Sequence, residues 1–429
     1  MTKSKIMKNK LYIQLFLLLS IFTIVSCKTE IDDYFDTSAS ERMENEILKY
    51  RKILSSAKYG WAMEYFPGGQ NQAFGGYALS VSFSPEGYAT FRSSLSEDVN
   101  RAVTSLYSLK KDIGATLNFD TYNELFHYFS DSDIGEGEGQ GKGFLGDYEF
   151  VLHSGNESEL LMYGKKHGTA IHMYALQEPA ESYLQKAKEN RLSYQNIAAV
   201  SGLNGTFAGK PVDGQIITPQ YIMLTRGEKQ TKFSFMFTDQ GVRLYAPIEF
   251  DGAVVEQLSW SAQERTFSSP DGTTRLKLIT DPLGLREDEL LGAYTLSYAD
   301  KTVDVSISKQ ANGSILMKGL PFDIRFTYNA KKGALELNSQ QLKVSPDVRL
   351  AIWCSQLGNL TWGSGYGLVT RWNGDRENFV LDFVDNGYEW FVKGQRIYAD
   401  AFILWDTSAG EHKQYGDSRF YNLKLTKKK

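Results

Sequence analysis

The sequence predicts a mainly β protein of several domains, built from antiparallel meanders that close as barrels or pack as sandwiches behind one N-terminal amphipathic helix. Three observations carry this. From Trp61 onward, short runs alternate apolar and polar residues with period two. Thirty-eight glycines and turn pairs such as Pro67-Gly68 and Asp271-Gly272 punctuate those runs. The 25 tyrosines, 25 phenylalanines and seven tryptophans suit pleated, half-buried surfaces. At 429 residues the chain also exceeds the size at which one core keeps growing, so more than one domain is expected.

Lys8 and Lys10 precede an apolar run, Leu11 to Val25, that is followed by Ser26 and Cys27. This is the order of a secretory signal peptide, and the run falls short of the roughly 20 apolar residues of a membrane span. Ile24-Val25-Ser26-Cys27 is similar to the lipobox of bacterial lipoproteins, with Ile24 where leucine is more usual. The resemblance implies cleavage before Cys27, lipidation of Cys27 and a membrane partner reached through the lipid. Residues 1–26 are then a leader and 27–37 a tether. Glu30, Asp32 and Asp33 resemble the export signal of surface lipoproteins in Bacteroidetes-type bacteria, which implies the cell-surface side of the outer membrane.

Removing residues 1–26 leaves 43 basic against 51 acidic side chains, a formal charge of −8. A mildly acidic chain without a basic patch has little means of holding a polyphosphate, so nucleic acid is not an expected partner. With Cys27 lipidated, Cys354 stands alone, and stability must come from the core rather than from disulfides.

Ser38 and Glu41 have capping-box spacing, and Met43, Ile47, Tyr50, Leu54 and Ala57 form one apolar stripe. A helix of roughly five turns is predicted, closed by Gly60 and lying on the first β domain. Trp61, Met63 and Tyr65 alternate, as do Tyr77, Leu79, Val81 and Phe83, with a return strand at Tyr88 to Arg92. Leu106 to Leu109 and Ala115 to Phe119 extend the meander, and Thr121 with Glu124 caps a short helix carrying Tyr122, Leu125, Phe126 and Phe129. Strands follow at Asp147 to His153, Glu159 to Tyr163 and Thr169 to Leu176, the last two joined as a hairpin. Pro179 opens a polar helix to about Arg191, which closes the domain 38–191.

In the middle region, 192–290, short strands are expected at Ile222 to Leu224, Phe233 to Phe237, Val242 to Ala246 and Leu258 to Trp260, before a connector at Asp281-Pro282-Leu283-Gly284. The region 291–429 carries eleven short strand patterns, which suggest a barrel or a two-sheet sandwich of lipocalin-like appearance. Gly292 to Ser297 loosely echoes Gly76 to Ser80, as a duplication would.

The stretch Asp131 to Gly143 offers Asp131, Asp133, Glu136 and Glu138 as calcium ligands. Gly135 and Lys142 occupy the fifth and twelfth positions, so the EF-hand pattern fails and a solvated loop is expected. His127, His153, His167, His172 and His412 include no His-x-x-x-His pair, and no zinc site or cofactor is expected. Gly363-Ser364-Gly365 misses the Gly-x-Ser-x-Gly spacing of a nucleophile elbow. Asp382, Asp385 and Glu389 are candidates for a carboxylate pair of a glycan hydrolase.

Aromatic residues give the firmer indication. Trp353, Trp362, Tyr366, Trp372, Tyr388 and Trp390 fall close together, and exposed rings can stack on sugar faces. The other reading of the same rings is core and rim packing. Two functions therefore stand side by side: a binding or accessory module for a glycan, a peptide or an envelope protein, and an extracytoplasmic glycan hydrolase. A structural envelope role is the third.

Several stretches together resemble an uncharacterised family of Bacteroidetes outer-membrane lipoproteins, the DUF4302 family. They are Ser40-Glu41-Arg42, Ala57-Lys58-Tyr59-Gly60-Trp61, Phe119-Asp120-Thr121-Tyr122-Asn123 with His127, Gly146-Asp147-Tyr148-Glu149-Phe150 and Gly164-Lys165-Lys166. The likeness covers about residues 30 to 180. It implies a lipid-anchored β protein and transfers no catalytic residue.

Overall fold

The computed structural model describes residues 38–132, 143–310, 313–343, 345–363, 365–408 and 413–428. The expected leader, the tether with Cys27, the acidic ligands Asp133, Glu136 and Glu138, Ser364 and His412 lie outside the described residues.

Helix α1 spans Ala39–Leu54, and the Ser38 hydroxyl accepts from the Glu41 amide at 3.2 Å, as the cap spacing requires. Ile47, Tyr50 and Leu54 of the predicted stripe are buried in the first core, with Met43 and Ala57 packed at its edge. The helix ends earlier than predicted. Ser55 turns its hydroxyl back to the Arg51 carbonyl at 3.0 Å, and Gly60 takes φ +80° to deliver the chain into the first strand. A Cβ at Gly60 would stand 2.9 Å from the Val81 carbonyl oxygen, so the close approach also calls for glycine.

Eight strands then close as a barrel in chain order: β1 (Trp61–Tyr65), β2 (Tyr77–Phe83), β3 (Tyr88–Ser93), β4 (Val103–Lys111), β5 (Ala115–Phe119), β6 (Glu149–Gly155), β7 (Glu159–Gly164) and β8 (Ala170–Ala175). β8 returns to β1 with Met173 opposite Met63. An eight-stranded barrel encloses about the width that side chains can fill. Here rings fill it: Phe126 packs 4.7 Å from Phe91 and 4.6 Å from Phe119. Phe126 and Phe129 come from the segment between β5 and β6, where a helix was expected. Asn123 organises that segment instead, its side-chain oxygen accepting from the amides of Leu125 and Phe126 at 3.1 and 3.3 Å. Thr121 is drawn to the Leu106 amide at 2.8 Å, so only a single 3-10 turn, His127–Phe129, forms.

Helix α2 (Ala180–Gln195) runs one turn beyond its expected end and lies between the barrel and a second sheet. That sheet has the order β13-β12-β11-β10-β9-β18-β17-β16. Its strands are β9 (Val200–Phe207), β10 (Lys210–Thr218), β11 (Tyr221–Arg226), β12 (Lys229–Thr238), β13 (Gly241–Leu244), β16 (Ser259–Ser261), β17 (Thr266–Ser268) and β18 (Arg275–Thr280), with the hairpin β14 (Ile248–Phe250) and β15 (Ala253–Val255) beside it. β9, β10 and β18 form much of the sheet yet escape the sequence reading, because β9 and β10 carry the Gly, Pro and Asp residues that read as turns. Gly205 shows why glycine is there: a Cβ would stand 1.9 Å from the Arg275 carbonyl oxygen of the neighbouring strand.

The barrel and this sheet share a core. The Gly76 amide donates to the Phe235 carbonyl at 3.0 Å, Ser234 donates to the Gln72 carbonyl at 2.7 Å, and Phe66 packs 5.1 Å from Tyr245. Ala62, Phe66, Leu184 and Met236 are buried together across the seam. At one end of strands β10 to β12, Lys229, Arg226 and Lys210 surround Asp251, holding its carboxyl down at about 2.

After the short helix α3 (Glu287–Leu290), a second barrel closes in the order β19-β20-β21-β22-β23-β27-β28-β33. Its strands are β19 (Gly292–Tyr298), β20 (Lys301–Lys309), β21 (Ile315–Lys318), β22 (Ile324–Asn329), β23 (Ala334–Asn338), β27 (Gly367–Trp372), β28 (Val380–Asp385) and β33 (Lys424–Lys427). Two excursions leave this barrel. One carries β24 (Gln340–Gln341), β25 (Val348–Cys354) and β26 (Asn359–Thr361); the other carries β29 (Trp390–Val392), β30 (Gln395–Ile397), β31 (Ala401–Asp406) and β32 (Lys413–Tyr421). They meet where β25 pairs antiparallel with β31, and with β24, β26 and β32 they make a five-stranded sheet beside the barrel. The echo between Gly292 to Ser297 and Gly76 to Ser80 joins a first strand to a second strand, so the two stretches do not hold equivalent places.

Candidate functional site

The separate hairpin of β29 and β30, packed on Cys354 of the five-stranded sheet, gathers part of the aromatic set with the loops beside it. Tyr366 lies 4.8 Å from Tyr388 and 5.4 Å from Trp390, and Trp390 is buried on Cys354 and Ile397. Gly363 and Gly365 make this packing possible. A Cβ at Gly363 would come within 2.8 Å of the Tyr366 ring, and one at Gly365, where φ is +100°, within 2.7 Å of the Tyr388 ring. Gly363 and Gly365, the two glycines of the stretch that failed as a nucleophile elbow, thus make room for two rings. Asn386 ties the stretch down, donating to the Gly365 carbonyl at 2.7 Å and accepting from the Tyr388 amide at 3.1 Å. Lys393 and Gly394 both take positive φ between β29 and β30, as a two-residue primed turn requires. Tyr388 is 51% exposed, so Tyr366 and buried Trp390 back a ring that reaches solvent, and Trp362, next to Gly363 in the chain, is 39% exposed.

Two of the candidate rings stand elsewhere. Trp353 neighbours Cys354 on β25 and therefore points to the opposite face, where the Arg419 guanidinium lies 5.7 Å from its ring. Trp372, only 9% exposed, belongs to the second barrel's core, 5.8 Å from Phe379 and under the Arg376 guanidinium at 4.7 Å. Trp372→Ala is expected to cost about 3 kcal/mol of stability through the cavity it leaves, with ligand affinity of the folded fraction unchanged. Urea unfolding and binding measured on one preparation would separate the two effects, and lost affinity at full stability would place Trp372 in the ligand face.

Two of the three candidate carboxylates are engaged in the fold. Asp382 faces Lys424 at 3.5 Å, and Asp385 accepts from the Gly387 and Ala399 amides at 2.8 and 2.7 Å. Being three apart on β28, they occupy opposite faces, and Glu389 is exposed beyond the strand end. Among the described residues no three His, Cys, Asp or Glu side chains gather as a metal site, and no helix is long and apolar enough to cross a membrane. His167 instead takes part in a turn whose backbone amides, at Lys166 and His167, donate to the Asp147 carboxylate at 3.0 and 3.2 Å.

A profile of the family described as "Domain of unknown function (DUF4302)" matches residues 31–262, more than half of the chain. The chain belongs to the DUF4302 family. A second profile, described as a domain of unknown function (DUF4987), matches residues 286–405. No curated protein matches the chain. The DUF4302 match spans the first barrel and the second sheet up to β16, the two units that share a core. The DUF4987 match takes in α3 and the second barrel up to β31.

Within the DUF4302 region lies a group the sequence reading passed over. Glu64 stands on the outer face of β1, between the inward-pointing Met63 and Tyr65, and its carboxylate meets the Arg243 guanidinium of β13 at 3.1 Å. Burial pushes its carboxyl up to about 7, against the opposing pull of Arg243. His172 lies opposite it in the β1–β8 register, with the Tyr174 ring stacked 6.2 Å away and Arg243 5.7 Å over Tyr174. Glu64, Tyr174 and Arg243 line a cleft of about 390 Å³ between the barrel and the sheet, together with Tyr183 and Asp239. The signal was present as a lone acid in the apolar strand Trp61-Ala62-Met63-Glu64-Tyr65. Its meaning depended on what covers the barrel's outer face.

Proposed function

We propose that the protein is a non-catalytic binding or accessory lipoprotein, held at the outer membrane through Cys27, that engages a glycan with the ring face of its C-terminal insert. The observation that carries this reading is solvent-facing Tyr388 packed with Tyr366 and Trp390 at the β29–β30 hairpin outside the barrel, with Trp362 exposed beside Gly363. Flat rings offer broad apolar contact to a sugar face, and the amides and carboxylates around them serve its hydroxyls. A hydrolase would need two facing carboxylates with one held protonated; Asp382 and Asp385 are spent on Lys424 and on backbone amides.

The test is a screen of the purified protein against bacterial, host and dietary polysaccharides, with release of reducing ends assayed on every hit. Saturable binding without product is expected, weakened about five- to tenfold by Tyr388→Ala and by Trp362→Ala. Binding indifferent to both substitutions, or none to any polysaccharide, would remove the ring face from the account. Cleavage would move the case to an enzyme.

A further inference from the structure

We propose that a cavity at the junction of the three units binds a small amphipathic anion, a carboxylate or sulfonate carried on a flat or branched apolar body. The cavity, about 660 Å³, opens where the mouth of the first barrel meets the end of α2, strands β9 and β10, and the turn at Ala330 and Lys331 of the second barrel. Its volume is that of a site for a drug-sized molecule. Phe74, Tyr77 and Phe144 wall it from the barrel side, and Ile197 and Ile216 from the sheet side. An apolar body suits these walls.

The charge of the ligand follows from Arg191. Arg191 and Lys331 line the cavity, and no aspartate or glutamate lines it among the described residues. The Arg191 guanidinium donates to two neutral acceptors, the side-chain oxygen of Gln195 and the Ser94 carbonyl, the latter at 3.1 Å. Its Nε is buried without an acceptor among the described residues, and burial pulls the group's pKa down, the mark of a poorly solvated cation. A cation held partly out of water, with no counter-charge among the described residues, is costly, and a bound anion would supply that charge. A neutral sugar would not, and a cation would be repelled. The helix holds Arg191 in place through Tyr194, one turn on, whose ring is anchored in the sheet core 5.8 Å from Phe235 and 5.5 Å from Phe267. The cavity shares no residue with the ring face of the insert, so the two sites are separate.

The probe is 8-anilinonaphthalene-1-sulfonate, compared with the uncharged N-phenyl-1-naphthylamine of similar ring system, by fluorescence titration of the folded protein. Saturable one-to-one binding of the sulfonate is expected, at least tenfold tighter than that of the amine. Arg191→Gln should weaken the sulfonate at least tenfold and the amine less than twofold, while Arg191→Lys keeps most of the sulfonate affinity. Ile216→Trp, which fills the cavity, should abolish both, and Tyr388→Ala should alter neither. Near-UV circular dichroism checks each variant's fold; should Arg191→Gln not fold, the preference of the unsubstituted protein for the sulfonate and the Ile216→Trp result decide. Absence of saturable sulfonate binding, equal affinity for the two probes, or loss on Tyr388→Ala would each overturn the proposal.

Discussion

Trp61→Ala should lower the stability of the first barrel by about 4 kcal/mol, a large part of what a domain of this kind possesses. Trp61 is fully buried, and its indole N–H donates to the Leu54 carbonyl at 2.8 Å, the last residue of α1. One side chain thus fills the barrel end and anchors the helix that covers it. Removing it leaves a cavity and an unsatisfied buried carbonyl, and the second defect adds about 1 kcal/mol or more. Trp61→Phe separates the contributions: most of the volume stays, the hydrogen bond goes, and a loss of about 1 to 2 kcal/mol is expected. Urea unfolding followed by tryptophan-independent circular dichroism measures both. A loss under about 2 kcal/mol for the alanine variant would mean that the helix is not held through this contact.

Glu64 should make the protein less stable as pH rises from about 4.5 to 7. Its carboxyl titrates at about 7 in the folded chain against 4.5 for the ordinary group. Below 4.5 it is protonated in both states and adds no cost. Between the two values the unfolded chain releases the proton while the folded one keeps it, so stability falls as pH rises and levels off above 7. The span corresponds to about 3 kcal/mol. Burial shifts the opposing His172 downward, which works in the other direction, so the informative quantity is the difference between the native protein and Glu64→Gln. Because His172 faces Glu64 across the β1–β8 register, that difference belongs to the pair. Urea midpoints from pH 4.5 to 8 should converge at the acid end and separate toward neutrality, with the glutamine variant the more stable. Parallel curves would show that Glu64 ionises as freely as a surface acid. Asp251 does not confuse the window, because its own falls between its ordinary value and about 2.

What the sequence by itself determined is local. The Ser38 cap, the stripe from Met43 to Leu54, and the alternation in β1, β2 and the strands of the second barrel follow from side-chain periods that a single segment expresses. The rings of Tyr366, Tyr388 and Trp390 were legible as a group because they crowd a short stretch of chain. Which of the neighbouring rings join them was decided by the tertiary structure. Pairing of β25 with β31 brings together two excursions that leave the barrel at different points, while the register of β27 turns Trp372 into the core and that of β25 turns Trp353 to the far face. The same holds for Glu64, whose strand reads as an ordinary alternation until the second sheet covers its outer side. β9 and β10 were not among the expected strands because glycine has no local preference for a strand; only the close approach of β18 gives Gly205 its reason. Burial, barrel closure and the junction cavity all arise between segments far apart in the chain. Short-range periodicity carries no information about them, because the free energy that selects them is gained only when distant surfaces leave water together.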